Sequence, residues 1–232
     1  MKDLYSLSRE ESLFLARRTL AEHIWQSARL EGVNVTFPDT QAIIEGIVPA
    51  GMATDDVAVI VNLREAWRYL LASLDEPFGP AIVRELNRRV TFGLSLDPGE
   101  WRTDTVGIGG TDWRPPVPDE VAIAGVFTLP GDGVTSDALT FAATAMRAQL
   151  FWDGNKRTAL LSANQILLSS GAGVLTVPTE HIESFNRLLS TYYQTGEAAP
   201  LMEFLYESCL FGLDLRGDLS EEVRDDRKQD CS

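Results

Sequence analysis

Between positions 149 and 159 the chain reads Gln149-Leu-Phe-Trp-Asp-Gly-Asn-Lys-Arg-Thr-Ala159. An acid, a glycine, an amide and two cations stand just before the apolar stripe Ala159, Leu160, Leu161, Ala163, Ile166 and Leu167. The stripe has helical spacing, which puts the polar residues at a helix N-terminus. Unpaired N–H groups and partial positive charge make such an end attractive to phosphate. Gly154 lets backbone approach an anion without a Cβ in the way. Lys156 and Arg157 add full charges, and an arginine can hold phosphate by two parallel hydrogen bonds. Asp153 offers the hard oxygen that suits Mg²⁺, an ion usually shared with nucleotide phosphates. A plainer reading makes Asp153 or Asn155 an N-cap followed by solvent-facing cations, and composition alone favours it. The Phe151-Trp152 pair and a glycine-rich stretch upstream add to the case for binding.

The whole chain sets bounds on this chemistry. Its 232 residues suffice for one large domain or two small ones, and 44% hydrophobic with 23% charged residues is ordinary for a soluble globular protein. No apolar run approaches the roughly 18 residues of a membrane span. The first residues lack the apolar core of a signal peptide. Cys209 and Cys231 are too few and unpatterned for a disulfide framework or a zinc site, so a reducing cytoplasm is expected. A net charge of −14 argues against nonspecific nucleic-acid binding. Only His23 and His181 exist, which limits the candidates for a general base.

Helices must position the cradle. Ser8-Arg-Glu-Glu11 forms a capping box, and apolar spacing carries a helix to about residue 31, with Gly32 as its stop. A short helix is predicted at 40–45, a longer one capped by Thr54, and another at 79–90. Residues 93–118 are rich in Gly, Pro, Thr and Trp, which suits a long loop or short hairpin of the kind that often carries function. Helices return at 135–150, 155–170, 179–194 and 198–212, with an extended piece at 174–178. From Gly217 the chain is charged and nearly free of apolar residues, so disorder is expected.

The segment 149–159 also resembles the Fic/Doc signature, His-x-Phe-x-(acid)-Gly-Asn-(Gly or Lys)-Arg-Thr. Phe151, Asp153, Gly154, Asn155, Lys156, Arg157 and Thr158 match it. Ser27-Ala-Arg-Leu-Glu31-Gly32 matches the family's inhibitory helix motif. The stretch around Trp101-Arg102, Val106-Gly-Ile-Gly-Gly110 and Pro115-Pro116 looks like the family's flap. The resemblance implies a mainly α, single-domain Fic fold, a helical bundle with a small β-hairpin flap. An N-terminal helical region (1–92, inhibitory helix about 8–32) would precede the Fic core (93–214, flap about 101–113) and an acidic tail (215–232). It implies ATP and Mg²⁺ as cofactors and AMP transfer to a Ser, Thr or Tyr hydroxyl of a target protein, with toxin–antitoxin-like control and homo-oligomers compatible with it; net charge and hydropathy lead to the expectation of no nucleic-acid or membrane partner. Asp153 would hold Mg²⁺, Gly154 and Asn155 the α-phosphate region, and Arg157 the outer phosphates. Phe151 would anchor the loop, and the flap would clamp the target's segment by strand-like pairing. Glu31, with Ser27 and Gly32 in its motif, would reach the cradle and keep ATP in an unproductive pose.

The pattern breaks twice. Gln149 stands where the family has its general-base histidine, and a carboxamide cannot take up a proton into a stable acid. A positioned base contributes ~10²–10⁴-fold in rate, so binding should outlast turnover. Gln149 is the natural residue, or a substitution made in a toxic protein, or another residue serves as base; His23 and His181 lie outside the motif, which argues against the last. Lys156 and Leu160 stand where many family members have Gly and a second Arg, the usual partner of the inhibitory Glu. Glu31 would then need Arg157 or Lys156. The Lys form also occurs in the Doc branch, where some members phosphorylate, whereas Gly154 is typical of AMP transfer. The reading is a self-inhibited adenylyltransferase with weak or absent turnover. A nucleotide- or protein-binding pseudoenzyme and a Doc-like phosphotransferase are the alternatives.

Overall fold

The Ser8 hydroxyl accepts from Glu11 N (3.2 Å) while Ser8 N donates to the Glu11 carboxylate (2.7 Å), closing the capping box that opens α1 (Arg9–Arg18). A computed structural model describes residues 1–109 and 111–213. The single helix expected up to residue 31 is instead two, α1 and α2 (Leu20–Leu30), joined at Thr19. Thr19 leaves helical geometry (φ −99°, ψ 7°) and its hydroxyl bonds back to Leu15 O at 2.7 Å, a competition with the helix that bends it. Gly32 (φ 86°) then ends α2 in a Schellman motif, with Gly32 N on Arg29 O (3.0 Å) and Val33 N on Ala28 O (3.1 Å). α3 (Phe37–Ile44) begins earlier than expected because Thr36 accepts from Asp39 N and Pro38 suits a first turn. α4 (Thr54–Ala72) starts after Ala53, without the side-chain cap expected of Thr54. α5 (Pro80–Val90) follows as predicted.

α6 (Glu120–Val126), capped by Asp119, was not foreseen, since seven residues give too little apolar repeat to read. α7 (Val134–Ala148), α8 (Asn155–Ser169), a 3-10 turn at Thr179–His181 and α9 (Ile182–Thr195) lie close to the predicted spans, whereas α10 (Ala199–Ser208) stops short of the expected 212 because residues 210–211 pair as a strand. The paired strands are β1 (Val174–Leu175) and β2 (Leu210–Phe211), antiparallel, with Val174 opposite Phe211. The mainly α class is as expected, but among the described residues the flap is not a hairpin. Residues 101–113 make one isolated β-bridge, Trp101 to Phe151, because the glycines and Pro115-Pro116 offer no side-chain pairs or ladder donors to sustain two strands. The predicted disorder from Gly217 falls outside the described residues. No described helix is long and apolar enough to cross a membrane.

α8 is the axis of the fold. Its Leu161 and Leu168 join the core of α1–α5, and its Leu160, Ala163 and Leu167 join the core of α7, α9 and α10. A helix buried on nearly all sides has one permitted placement, so its first turn is fixed in space. Asn164 strengthens the link by exchanging 2.7 Å bonds with the Leu175 backbone in β1.

His23, on α2, is buried and stacked on Trp67 (centroids 5.3 Å), with Nε2 2.7 Å from the Thr19 hydroxyl. Burial pushes its pKa down to about 4 from the usual 6.5. The folded state therefore binds fewer protons between those values, and stability falls as pH drops through that window, by roughly 3 kcal/mol at full protonation. Urea unfolding at pH 7 and pH 4.5 should show this slope in the native chain and a flatter one in His23→Gln. Equal slopes in both would remove His23 as the cause.

Candidate nucleotide site at the start of α8

α7 ends at Gln149 in a left-handed conformation (φ 47°, ψ 58°), the one positive-φ non-glycine among the described residues. Such a residue costs of order 1–2 kcal/mol and needs support. The loop after it supplies that support through Asn155. The Asn155 amide donates to Phe151 O (2.8 Å) and to Gln149 Oε1 (3.1 Å), and its Oδ1 accepts from Phe151 N (2.9 Å). Phe151 is buried against Trp101, as an anchor should be.

Gly154, also left-handed (φ 71°), precedes α8 as its N-cap. Neither Asp153 nor Asn155 caps the helix by a side chain, which corrects the plainer reading of the sequence. The space behind Gly154 is taken by α5 and its C-cap. A Cβ there would meet Thr91 Cγ2 at 2.5 Å and Val90 Cγ1 at 3.1 Å. The glycine thus serves tight packing on α5 as well as any anion. Asn87, buried on α5, ties the same point together: its amide donates to Asp153 O (2.9 Å) and Thr158 Oγ1 (3.1 Å), and its Oδ1 accepts from Gly99 N (3.0 Å). Nothing local to Asn87 in the sequence signals this role.

Above the turn lies a cavity of about 420 Å³. Gln149, Asp153, Gly154, Asn155 and Lys156 form its floor, Glu31 one side, and Gly107 to Gly109 of the flap another. The last wall is Asn186, Leu189, Ser190 and Tyr193, one face of α9, and sequence reasoning missed it. The spacing of those four was visible, but a half-polar helix face some thirty residues downstream reads as an ordinary surface.

Gln149 is bonded at both ends of its amide. Nε2 donates to Met146 O (2.7 Å) and to the Tyr193 hydroxyl (3.4 Å), while Oε1 accepts from Asn155. Burial, with the charge of Glu31 adding to it, pushes the Tyr193 hydroxyl well above its usual pKa, so it is no base near neutrality. His23 is in the α1–α5 core and His181 stacks edge-on with Phe204; neither lines the cavity.

Glu31 is the C-cap of α2, and its carboxylate, largely buried, faces the two motif cations. Lys156 Nζ lies 3.4 Å from Oε1 and Arg157 Nε 3.4 Å from Oε2. Lys156 Nζ also donates to Leu30 O (3.4 Å). The Arg157 side chain is only 4% exposed, contrary to a solvent-facing cation, and its other ion pair, to Asp153, is 3.6 Å long. Buried Arg157 Nε and Glu31 Oε1 lack hydrogen bonds, so the pair is close in charge but poorly closed in geometry. Leu160, where a second arginine would stand, is in the core. Of the Ser27-to-Gly32 motif, Glu31 reaches the cavity, Gly32 ends the helix, and Ser27 accepts at its carbonyl from Glu31 N (3.3 Å).

No group of three His, Cys, Asp or Glu among the described residues could hold a metal unaided. Asp153 presents a half-exposed carboxylate at the cavity, its Oδ1 taken by Gly154 N at 2.6 Å. One hard carboxylate fits Mg²⁺ where a phosphate-bearing ligand and water supply the remaining oxygens.

A buried central helix, a left-handed glycine turn at its start and a flap beside that turn make a Fic fold. Residues 77–167 match the Fic/DOC family. Two solved structures share the fold: Fic-1 (residues 134–508) from C. elegans, with TM-score 0.70, 24% identity, 86% of this chain and 63% of that chain covered, and a Fic family protein from Desulfovibrio desulfuricans G20, with TM-score 0.66, 18% identity and coverages of 97% and 67%. The chain is also similar to the protein adenylyltransferase Fic of Drosophila willistoni, 27% identical over 220 residues, and of Drosophila persimilis, 28% identical over 241 residues. These matches cover 87% and 96% of this chain but 43% and 47% of the relatives, so the chain spans under half their length.

Proposed function

We propose that this chain is a Fic-type protein adenylyltransferase, self-inhibited through Glu31, whose transfer of AMP from ATP to a protein hydroxyl is slow because Gln149 cannot act as base. The observation that carries this reading is Glu31 on the cavity wall, 3.4 Å from Lys156 of the floor and 3.4 Å from Arg157, which is buried outside the lining and faces a separate hollow with Glu31 and Asp153. A carboxylate there occupies an anion's place beside Lys156, and Arg157 Nε behind it has no hydrogen bond that Glu31 completes. ATP would lay its α-phosphate region on the amides of Gly154 and Asn155 and its outer phosphates toward Arg157 and Lys156. Asp153, together with those phosphates, would hold Mg²⁺, which neutralises their charge. Glu31 and a phosphate cannot share the same cations without repulsion, so the native chain binds ATP weakly or in a misplaced pose.

A second reading, a nucleotide-binding regulator without turnover, is favoured by Gln149 itself. Its amide braces Met146, Tyr193 and Asn155 at once, a role that keeps the cradle without chemistry. Calorimetry with ATP and Mg²⁺ tests what the two readings share. Glu31→Gly should bind roughly tenfold tighter than the native chain, about 1.4 kcal/mol. No binding by either protein would overturn both readings. Mg²⁺ without nucleotide should give no heat. Transfer from α- but not γ-labelled ATP separates AMP transfer from the phosphotransferase alternative.

A further inference from the structure

Arg102 is among the most deeply buried large side chains, 1% exposed, yet it is in none of the ion pairs among the described residues. Five backbone carbonyls surround its guanidinium instead. Nε donates to Gln149 O (2.5 Å) and Nη1 to Asp104 O (2.6 Å). Nη2 is shared among Pro116 O (2.5 Å), Pro115 O (3.3 Å) and Ala148 O (3.5 Å). Its own amide adds a bond to Leu150 O (2.9 Å). Desolvation disfavours this charge and lowers its pKa, and no carboxylate offsets that. Converging carbonyl dipoles do, two of them from the C-terminus of α7, where the helix dipole is negative.

The five carbonyls come from three places: the start of the flap, the end of the flap, and the left-handed turn at residue 149. We propose that Arg102 is a positioning residue that clamps both ends of the flap to that turn and so sets the spacing between the flap's edge and the side chain at position 149. What the flap and position 149 do rests on the AMP-transfer reading; the clamp rests on the hydrogen bonds. Only a planar fork of five N–H donors reaches these carbonyls together, so lysine cannot replace it.

The test uses the full chain with Arg102→Lys and Arg102→Ala. Amide hydrogen exchange at residues 103–108 and 112–114 and at Gln149 should quicken roughly tenfold in both, while α4 and α8 keep native protection. Affinity for ATP with Mg²⁺ should change by less than about threefold, since Arg102 touches none of the cradle donors. In a Gln149→His, Glu31→Gly background, Arg102→Lys should lower kcat about tenfold or more with KM for ATP nearly unchanged. Unchanged flap exchange in Arg102→Ala would overturn the proposal. So would loss of protection throughout the chain in both variants, which would mark Arg102 as an ordinary core residue. If the background labels nothing while Arg102 is intact, the AMP-transfer reading fails, and the exchange result still decides the clamp.

Discussion

Combining Gln149→His with Glu31→Gly is expected to raise labelling from α-labelled ATP at least a hundredfold over the native chain, on itself or on a lysate protein. Two separate barriers are removed. A positioned imidazole restores proton acceptance, typically ~10²–10⁴-fold. Position 149 is suited to it, because histidine is among the residues better tolerated at positive φ, and Arg102 already bonds the residue 149 carbonyl. The Asn155 amide, now 3.1 Å from Gln149 Oε1, can orient an imidazole nitrogen in its stead. Removing Glu31 takes away the ion pairs of Lys156 and Arg157, which in the proposed reading would then meet phosphate. Each single variant should gain less than the pair, since one lacks the base and the other keeps the competing carboxylate. A double variant that binds ATP as tightly as Glu31→Gly but labels no better than the native chain would end the adenylyltransferase reading and leave the regulator.

Gly154→Ala should destabilise the chain by ~2–4 kcal/mol and remove ATP binding with it. One part is conformational, because φ 71° strains any residue with a Cβ. The other is steric: Thr91 Cγ2 stands 2.5 Å from where that Cβ would lie, and Thr91 is itself held by its hydroxyl on Asn87 O at 2.8 Å. The turn would have to lift from α5, carrying Asp153 and Asn155 out of place. A fall in Tm of roughly 5–15 °C is the expected readout. Thr91→Ser deletes the clashing methyl, so Gly154→Ala with Thr91→Ser should regain the steric part and not the conformational part. A Gly154→Ala melt within about 2 °C of native would mean the turn relaxes freely and Gly154 is not needed for packing.

Local signals served the fold well where they act within a turn of chain. Ser8 with Glu11 and the stop at Gly32 placed helix ends because capping is settled by residues three or four apart. The bend at Thr19 escaped the same logic: apolar spacing runs through it unbroken, and the side-chain bond to Leu15 O decides it. The flap failed as a hairpin because pairing needs a partner strand, and the segment's one bridge goes to Phe151, fifty residues away.

The cradle divides along the same line. The sequence by itself determined that an acid, a glycine and two cations open an apolar helix, and that the residue at 149 cannot take a proton. Only the tertiary structure decided which way those groups face. Burial of α8 between two cores turns Arg157 inward, where sequence composition would have left it in water. The Schellman turn at Gly32 and the packing of α2 bring Glu31 to Lys156 and Arg157, 125 and 126 residues on, and Leu160 in the core removes the alternative partner. Asn87, Arg102 and the α9 wall belong to the site for the same reason. Side-chain type and spacing fix what a short segment can bind, while the helices packed around it fix what it meets.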